Sequence, residues 1–331
     1  MNNLKNAKIL VIGGAGLIGS FIVEELLKEE IGEVIIYDNF CRGARENIRE
    51  YLKDERCYVF PLGGDIREID ILDKAVQGVD YVIHTAALWL LHCHEFPRSA
   101  FEVNIRGMFN VLEACVKHKV KKLVWSSSAS VYGDALEIPM TEDHPYNNRT
   151  FYGATKIAGE HMAVAFHHRY GLSHNGLRYM NVYGPRQDYK GTYIAVIMKI
   201  LDRIDNGLPP IVYGDGSQSY DFIYVQDTAK ANVACLKAGT TNDFYNVGTG
   251  KGTSIKELTA LLLELTGSNL EIKYEPEGQT FVTHRIGSTE KLKKDTGFKA
   301  KIELREGLMK LIEWRKKHKE LVGKEKGKVK E

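Results

Sequence analysis

Tyr152 and Lys156 lie four residues apart in the run Tyr152-Gly153-Ala154-Thr155-Lys156. On a helix that spacing sets a phenol and an ammonium on one face. Upstream, Lys121-Lys122-Leu123-Val124-Trp125 reads as the fifth strand and leads into Ser126-Ser127-Ser128-Ala129-Ser130-Val131-Tyr132-Gly133. Hydroxyls at the carboxyl end of a strand in a doubly wound sheet face the ligand crevice. Alone, a serine-rich turn is only a loop, and a tyrosine-lysine spacing of this kind is common by chance. Both gain weight from the start of the chain. There, Lys8-Ile9-Leu10-Val11-Ile12 runs into Gly13, Gly16 and Gly19, and an amphipathic stretch follows with Phe21, Ile22, Leu26 and Leu27.

That sequence reads as strand, tight turn and helix. The glycines permit the turn, close approach of backbone to a pyrophosphate, and close helix–strand packing. The N–H groups at the helix start are free to bind phosphate. A second strand at residues 33–37 ends at Asp38, where an acidic residue receives the adenosine ribose hydroxyls. Asp38 repels a ribose phosphate, so NAD is expected rather than NADP. Arg42 lies near enough to keep NADP as the alternative.

Further along, Tyr58-Val59-Phe60 reads as a third strand ending near Gly64, Asp65 and Ile66. The last two suit the edge and face of an adenine, and Asp65 also suits the N-cap of a helix over residues 67–76. A fourth strand at residues 80–84 precedes Thr85, Ala86 and Ala87, small residues that let backbone pass close to a ligand. Leu88 to His94 reads as a loop near the substrate, with Trp89 as an apolar wall. His92, Cys93 and His94 have no matching ligand set elsewhere, so no metal is expected. Pro97 opens a long helix over residues 98–118 that carries Asn104 and Gly107. The Tyr152 helix continues to about residue 170, and a sixth strand at 177–186 ends in a turn. Beyond it the alternation loosens: a helix over 193–206, strands at 209–216, 221–225 and 244–248, and helices over 226–238 and 254–266. The expected organisation is an α/β doubly wound parallel sheet over residues 1–185, then a smaller substrate lobe over 186–331. Some segments of that lobe return to the first, and a lysine-rich, solvated tail spans 316–331.

The chain has 331 residues, 44% hydrophobic and 27% charged, with a net charge of +2. That is an ordinary globular composition and gives no bulk electrostatic case for nucleic acid. No apolar run reaches membrane-spanning length, and the short lead into the first strand leaves no room for a signal peptide. Five scattered cysteines form no CxxC pair or even framework, which fits free thiols in a reducing cytoplasm.

Taken together, the glycine run, the Ser128 turn with Val131-Tyr132-Gly133, Tyr152 with Lys156, and Arg178-Tyr179-Met180-Asn181-Val182-Tyr183-Gly184-Pro185-Arg186 resemble the extended short-chain dehydrogenase/reductase family. Residues 221–227 and Tyr245-Asn246-Val247-Gly248 add to the likeness, which runs from about residue 7 to residue 315. The branch it resembles is that of NAD-dependent nucleotide-sugar epimerases and dehydratases, most of all the UDP-sugar 4-epimerases. The resemblance implies that Tyr152 acts as base on the sugar 4-hydroxyl, Lys156 and the positive nicotinamide ring favour its phenolate, and Ser128 steadies the proton. C4 is oxidised to a transient ketone, the sugar turns over and is reduced on its other face. Asn104 supports the cluster and Asn181 meets the diphosphate region. The implied cofactor-binding set is Gly13, Gly16, Leu17, Ile18, Gly19, Asp38, Asn39, Asp65, Ile66, Thr85, Ala86, Ala87, Asn104, Ser126, Tyr152, Lys156 and Tyr179. The implied substrate-binding set is Trp89, Ser128, Asn181, Tyr220, His284 and Arg285.

Within this branch, dehydratases carry an Asp-Glu pair after the catalytic hydroxyl, and decarboxylases a glutamate at the second place. Here Ala129 and Ser130 stand there, so 4-epimerisation is expected. A dehydratase, decarboxylase or reductase of the same family is the first alternative, and a non-catalytic NAD-binding sensor the second. Tyr220 and Glu277 occupy places where UDP-sugar epimerases carry phosphate-facing arginines; Arg285, and less so Arg186, is expected to supply that charge. A rough count puts His284 near the place that gates sugar size. The helices at 98–118 and 151–170 resemble a pair that forms a dimer interface in the family, so a homodimer is expected. Synthesis of polysaccharide or glycan precursors is the family-level pathway.

Overall fold

The computed structural model describes residues 2–188, 195–277 and 282–328. Its centre is a seven-stranded parallel sheet. The strands are β1 (Lys8–Ile12), β2 (Glu33–Tyr37), β3 (Cys57–Val59), β4 (Tyr81–His84), β5 (Lys122–Ser128) and β6 (His174–Tyr179). After them come β7 (Asn181–Tyr183), β8 (Ile211–Tyr213), β9 (Ser219–Tyr220) and β10 (Phe222–Tyr224), which lie outside this sheet, and then its last member, β11 (Asp243–Val247). The order across the sheet is β11-β6-β5-β4-β1-β2-β3. Chain direction across it therefore reverses between β1 and β4, and the crevice at their carboxyl ends is the topological switch point where such folds bind ligands.

Alternation along the strands divides the core in two. Ile9 and Val11 face a layer made by the helices Leu17–Leu27 and Val225–Lys237, with Phe21, Ile22, Leu26, Val233 and Leu236 packed there. Leu10 and Ile12 face the opposite layer, built from Ile69–Val76, Gly107–Lys117 and Phe151–Tyr170. All of these strand residues are fully buried. Apolar residues on both faces are what a parallel sheet covered on both sides demands.

Small strand pairs make the rest. β7 pairs in parallel with β10. β9 lies between β12 (Thr253–Ser254) and β14 (His284–Arg285), and β13 (Lys273–Glu275) pairs with β8.

The strand at 244–248 is a segment that returns to the first unit: β11 pairs with β6 and forms the edge of the main sheet. Several expectations change. The sixth strand breaks at Met180, and its second half, β7, leaves to pair with β10. The helix foreseen at 98–118 is one helical run with three characters: α at Pro97–Ala100, π at Phe101–Arg106 and α again at Gly107–Lys117. The loop foreseen at 88–94 contains the helix Leu90–Glu95. Asp65 does not cap the next helix, which starts at Ile69 after Glu68; its carboxylate accepts from Arg67 N–H instead. The helix foreseen from residue 193 is described as Val196–Asp205; residues 193 and 194 lie outside the described residues. The lysine-rich end is helical through its described part, with Lys316, Lys317 and Lys319 exposed to solvent. A helix, Leu304–Lys328, runs into it. Arg315 on that helix is buried and pairs with Asp202 and Asp205, and Lys319 reaches Asp205 at 2.6 Å. Residues 329–331 lie outside the described residues.

Candidate active site

The carboxyl ends of β1, β2 and β4 open into a cavity of about 790 Å³. Gly13, Gly16, Leu17, Ile18 and Gly19 line it, together with Asp38, Asn39, Asp65, Ile66, Thr85, Ala86, Ala87, Trp89 and Asn181. The glycine turn is a cradle that only glycine can make. Gly13 has φ +82°, and a Cβ there would lie 2.7 Å from Ala86 N and Thr85 Oγ1. A Cβ on Gly19 would lie 2.0 Å from the Gly13 carbonyl oxygen. No side chain caps the following helix at Gly16, so its first N–H groups remain free for a phosphate. Asp38 sits at the other end. One carboxylate oxygen accepts from Ala15 N–H at 2.9 Å and the other from Phe40 N–H at 2.8 Å. Burial raises its pKa against those two bonds, and an anion held there disfavours a second anion beside it. Arg42 does not offset this, because it stacks on Trp89 at 3.5 Å and pairs with Asp188 at 3.3 Å. A dinucleotide without a ribose phosphate fits this cradle.

The catalytic candidates meet beyond Ala86 and Ala87, outside the lining of the large cavity. Lys156 projects from the helix Phe151–Tyr170 and donates from Nζ to the Ser126 carbonyl at 2.7 Å. Its Nζ is 5.7 Å from the centre of the Tyr152 ring. Ser128 ends β5, its Oγ accepts from Ser130 N–H at 3.1 Å, and it lies beside the Tyr152 phenol, favouring the ionised form. Burial nevertheless pushes the Tyr152 phenol up to about 12, and burial pulls Lys156 down to about 8. In the protein alone, desolvation outweighs the opposing hydrogen bond from Ser128 and the positive charge of Arg285.

The three serines divide their work. Ser126 Oγ donates to the Tyr179 hydroxyl at 3.3 Å, and Tyr179 donates to Asn232 at 2.9 Å. Tyr179 thus backs Ser126 from within the core and does not line the cavity. Ser127 donates to Glu160 at 2.6 Å. Ser128 alone stands beside Tyr152. Asn104, buried on the π segment, accepts from Leu88 N–H at 2.8 Å and donates to the Leu88 carbonyl at 3.0 Å and to Thr155 Oγ1 at 3.2 Å. It staples the ligand-facing loop to the tyrosine helix, and it also borders a water-sized space of about 10 Å³ with His84, Ser126 and Lys156. A π insertion often marks a functional position, and here it turns Asn104 inward.

Sequence reasoning missed the scaffold behind the serine turn. Glu160 and Arg178 form a buried two-pronged pair at 2.9 and 2.7 Å. Arg178 also donates to the Tyr132 hydroxyl at 2.8 Å and the Glu142 carbonyl at 2.7 Å, and Tyr146 donates to Glu160 at 2.6 Å. The available signal was Glu160, one helical turn after Lys156.

The substrate-side candidates separate. Trp89 and Asn181 line the cavity. Tyr220 spends its hydroxyl on the Val282 carbonyl at 2.7 Å. Arg186 lines the cavity but is held by the glycine helix, donating to Ser20 Oγ at 3.1 Å and the Tyr51 hydroxyl at 2.6 Å. His284 is exposed. Alternation along β14 sets it on the face opposite Arg285. Glu277 is exposed, and Gln279 and Thr280 of the same segment lie outside the described residues.

Among the described residues no three His, Cys, Asp or Glu side chains cluster as metal ligands, and no helix is long and apolar enough to cross a membrane.

Residues 9–248 match the model of the NAD dependent epimerase/dehydratase family. A putative UDP-glucose 4-epimerase of Methanocaldococcus jannaschii is 37% identical, over 93% of this chain and 98% of its own. The UDP-N-acetylglucosamine 4-epimerase of Methanobrevibacter ruminantium M1, solved with UDP-N-acetylmuramic acid, superimposes with a TM-score of 0.89 at 33% identity, over 95% of this chain and 99% of that one. The UDP-glucose 4-epimerase of Thermotoga maritima, solved with UDP-glucose, gives 0.87 at 32% identity, over 94% and 99%. The chain belongs to the NAD-dependent epimerase/dehydratase family of extended short-chain dehydrogenases/reductases, and its cofactor is NAD.

Proposed function

We propose that this protein is a UDP-sugar 4-epimerase that works through a transient 4-keto sugar. The observation that carries the reading is the meeting of Ser128, Tyr152 and Lys156 beside a turn where Asp134, Glu142 and Glu160 are each engaged. Ala129 and Ser130 are buried. Asp134 accepts from Thr283 at 2.8 Å, Glu142 from Asn246 N–H at 2.8 Å, and Glu160 is paired with Arg178. Proton removal from a hydroxyl is provided for; a further acid to expel water is not. Bound NAD supplies a reversible two-electron acceptor and a positive ring. Tyr152 takes the proton of the 4-hydroxyl, Ser128 holds that hydroxyl against the phenol, and Lys156 adds positive charge behind it. The same groups return the proton after the sugar presents its other face. UDP as the carrier rests on the relatives solved with UDP-sugars.

Two further parts of the reading concern setting. A second copy of the chain packs on the helices Pro97–Ala100 to Gly107–Lys117 and Phe151–Tyr170, supported by the exposed rings of Phe101, Phe109, Phe151 and Tyr170. Five free cysteines, four of them buried, support a reducing compartment, the cytoplasm. A role in supplying sugars for polysaccharide synthesis follows from the reaction class.

The test is product analysis by NMR and mass spectrometry on a panel of UDP-, CDP- and dTDP-sugars. A product of unchanged mass with inverted C4 is expected. Replacing Tyr152 with Phe should lower kcat by about 10²- to 10⁴-fold while the purified protein retains NAD. Loss of water or carbon dioxide from the product would instead establish the dehydratase or decarboxylase alternative, and unchanged turnover in the variant would remove Tyr152 as the base.

A further inference from the structure

Ser128 and Tyr152 belong to different elements. Ser128 ends β5, and Tyr152 lies in the first turn of the helix Phe151–Tyr170. Two hydroxyls that must share one proton tolerate little error in their spacing, since a displacement of about 1 Å costs roughly 10²-fold in rate. The group that ties the two elements together is the Glu160 carboxylate, one helical turn after Lys156. Its Oε1 accepts from the Ser127 hydroxyl at 2.6 Å and from Arg178 Nε at 2.9 Å. Its Oε2 accepts from Arg178 Nη2 at 2.7 Å and from the Tyr146 hydroxyl at 2.6 Å. Ser127 and Arg178 stand opposite each other in the register of β5 and β6. One carboxylate from the helix therefore grips two adjacent strands at the same level.

The grip reaches the serine turn from both sides. Ser127 immediately precedes Ser128. Arg178 donates from Nη1 at 2.8 Å to the hydroxyl of Tyr132, whose own N–H closes the turn on the Ala129 carbonyl at 3.1 Å. Between these two fixed points Ser128 Oγ accepts from Ser130 N–H at 3.1 Å, which leaves its proton free to point to the phenol. The helix has no slack on its side either. A Cβ on Gly153, next to Tyr152, would lie 2.5 Å from the Ser130 carbonyl oxygen. Glu160 itself is buried, and each of its oxygens already holds two donors, so it is not a group that exchanges protons with a substrate. A buried ion pair is a poor source of stability, and its best use is to fix one arrangement against others.

We propose that Glu160 and Arg178 are positioning residues for the reaction: through Ser127 and Tyr132 they set the Ser128 hydroxyl against the Tyr152 phenol. The inference rests on the reading of Ser128 and Tyr152 as the pair that handles the 4-hydroxyl proton.

The experiment is a double-mutant cycle on the purified holoenzyme: Ser127→Ala, Ser128→Ala and the two together. Tyr132→Phe serves as a second way of loosening the turn. Neither Ser127→Ala nor Tyr132→Phe removes a member of the ion pair, so no buried charge is orphaned. NAD content and Tm are recorded for each variant, and kcat and KM are measured on the UDP-sugar that product analysis identifies. Ser127→Ala should lower kcat by about 10- to 100-fold with KM unchanged, the signature of an interaction used only in the transition state. In the Ser128→Ala background the same change should cost less than about twofold, because a residue that acts through another adds nothing once that other is gone. Tyr132→Phe should follow the same pattern. An unchanged kcat in Ser127→Ala, or a loss that multiplies in the double variant, overturns the proposal and leaves the ion pair to the fold. Crystal structures of wild type and Ser127→Ala give a readout without turnover. The Ser128 hydroxyl should move out of hydrogen-bond reach of the Tyr152 phenol in the variant, and an unmoved hydroxyl overturns the proposal. If no UDP-sugar is epimerised, the 4-epimerase reading fails, and the crystal comparison still decides whether Ser127 places Ser128.

Discussion

At the scale of the residue, the site is built from groups whose ionisation is opposed by their surroundings. Tyr152 is held high and Lys156 low by the same desolvation. A neutral phenol beside a weakly held ammonium is the resting arrangement of the protein groups, and added positive charge near the ring moves the proton off the tyrosine. Asp38 shows the complementary case, a carboxylate kept in a buried place by two backbone N–H donors. Its charge predicts cofactor choice. Wild type should bind NAD about 100-fold or more tightly than NADP, the order of a like-charge contact. Asp38→Asn should narrow that gap by about tenfold in cofactor titrations of stripped protein. An equal affinity for both cofactors in wild type would show that Asp38 does not meet the ribose.

At the scale of the element, one helix pair has two unlike faces. The inner faces of the helices from Pro97 to Lys117 and from Phe151 to Tyr170 carry Asn104, Thr155, Lys156 and Glu160, all buried. Their outer faces leave Phe101 49% and Tyr170 57% exposed. Apolar rings grouped on two adjacent helices are the pattern of an interface rather than of a solvated surface. Light scattering at micromolar concentration should give twice the chain mass. Replacing Phe101 and Phe109 together with Glu should give the single chain mass. A wild-type protein at the single chain mass would refute the dimer.

At the scale of the whole molecule, the sheet buries histidine at two strand ends. Burial pulls His84 down from 6.5 to about 3 and His174 to about 4. The unfolded chain takes up both protons as the pH falls below about 6.5, whereas the folded form takes them up only near 3 to 4. The unfolded state therefore binds more protons between those limits, and stability falls as the solution is acidified. Each histidine should cost up to about 1.4 kcal/mol per pH unit well below its free value. Urea midpoints measured at pH 7 and pH 5 should drop accordingly, and His174→Gln should show a shallower drop than wild type. A wild-type midpoint that does not change over that range would mean that neither histidine is excluded from protonation.

The sequence by itself determined the parts that depend on local spacing. The glycine turn, the acid ending β2, the serine turn and the tyrosine-lysine step are each set within a few residues, because steric room in a turn and the pitch of a helix are short-range properties. They were legible as strand, turn and helix; the structure sets the glycine turn and Asp38 on the large cavity and the serine turn, Tyr152 and Lys156 outside its lining. Only the tertiary structure decided what depends on distant partners. β11 joins the main sheet because its register with β6 buries Tyr245 and Val247, which no local pattern announces. The break at Met180 sends β7 to a partner from residues 222–224. Arg186 and Arg285 looked alike as spare cations in the sequence. The fold gives one to Ser20, Tyr51 and Glu24 and leaves the Nε of the other without a hydrogen-bond partner. An ion pair is made by whatever chain segment packs nearest, and that is a property of topology rather than of neighbours in sequence.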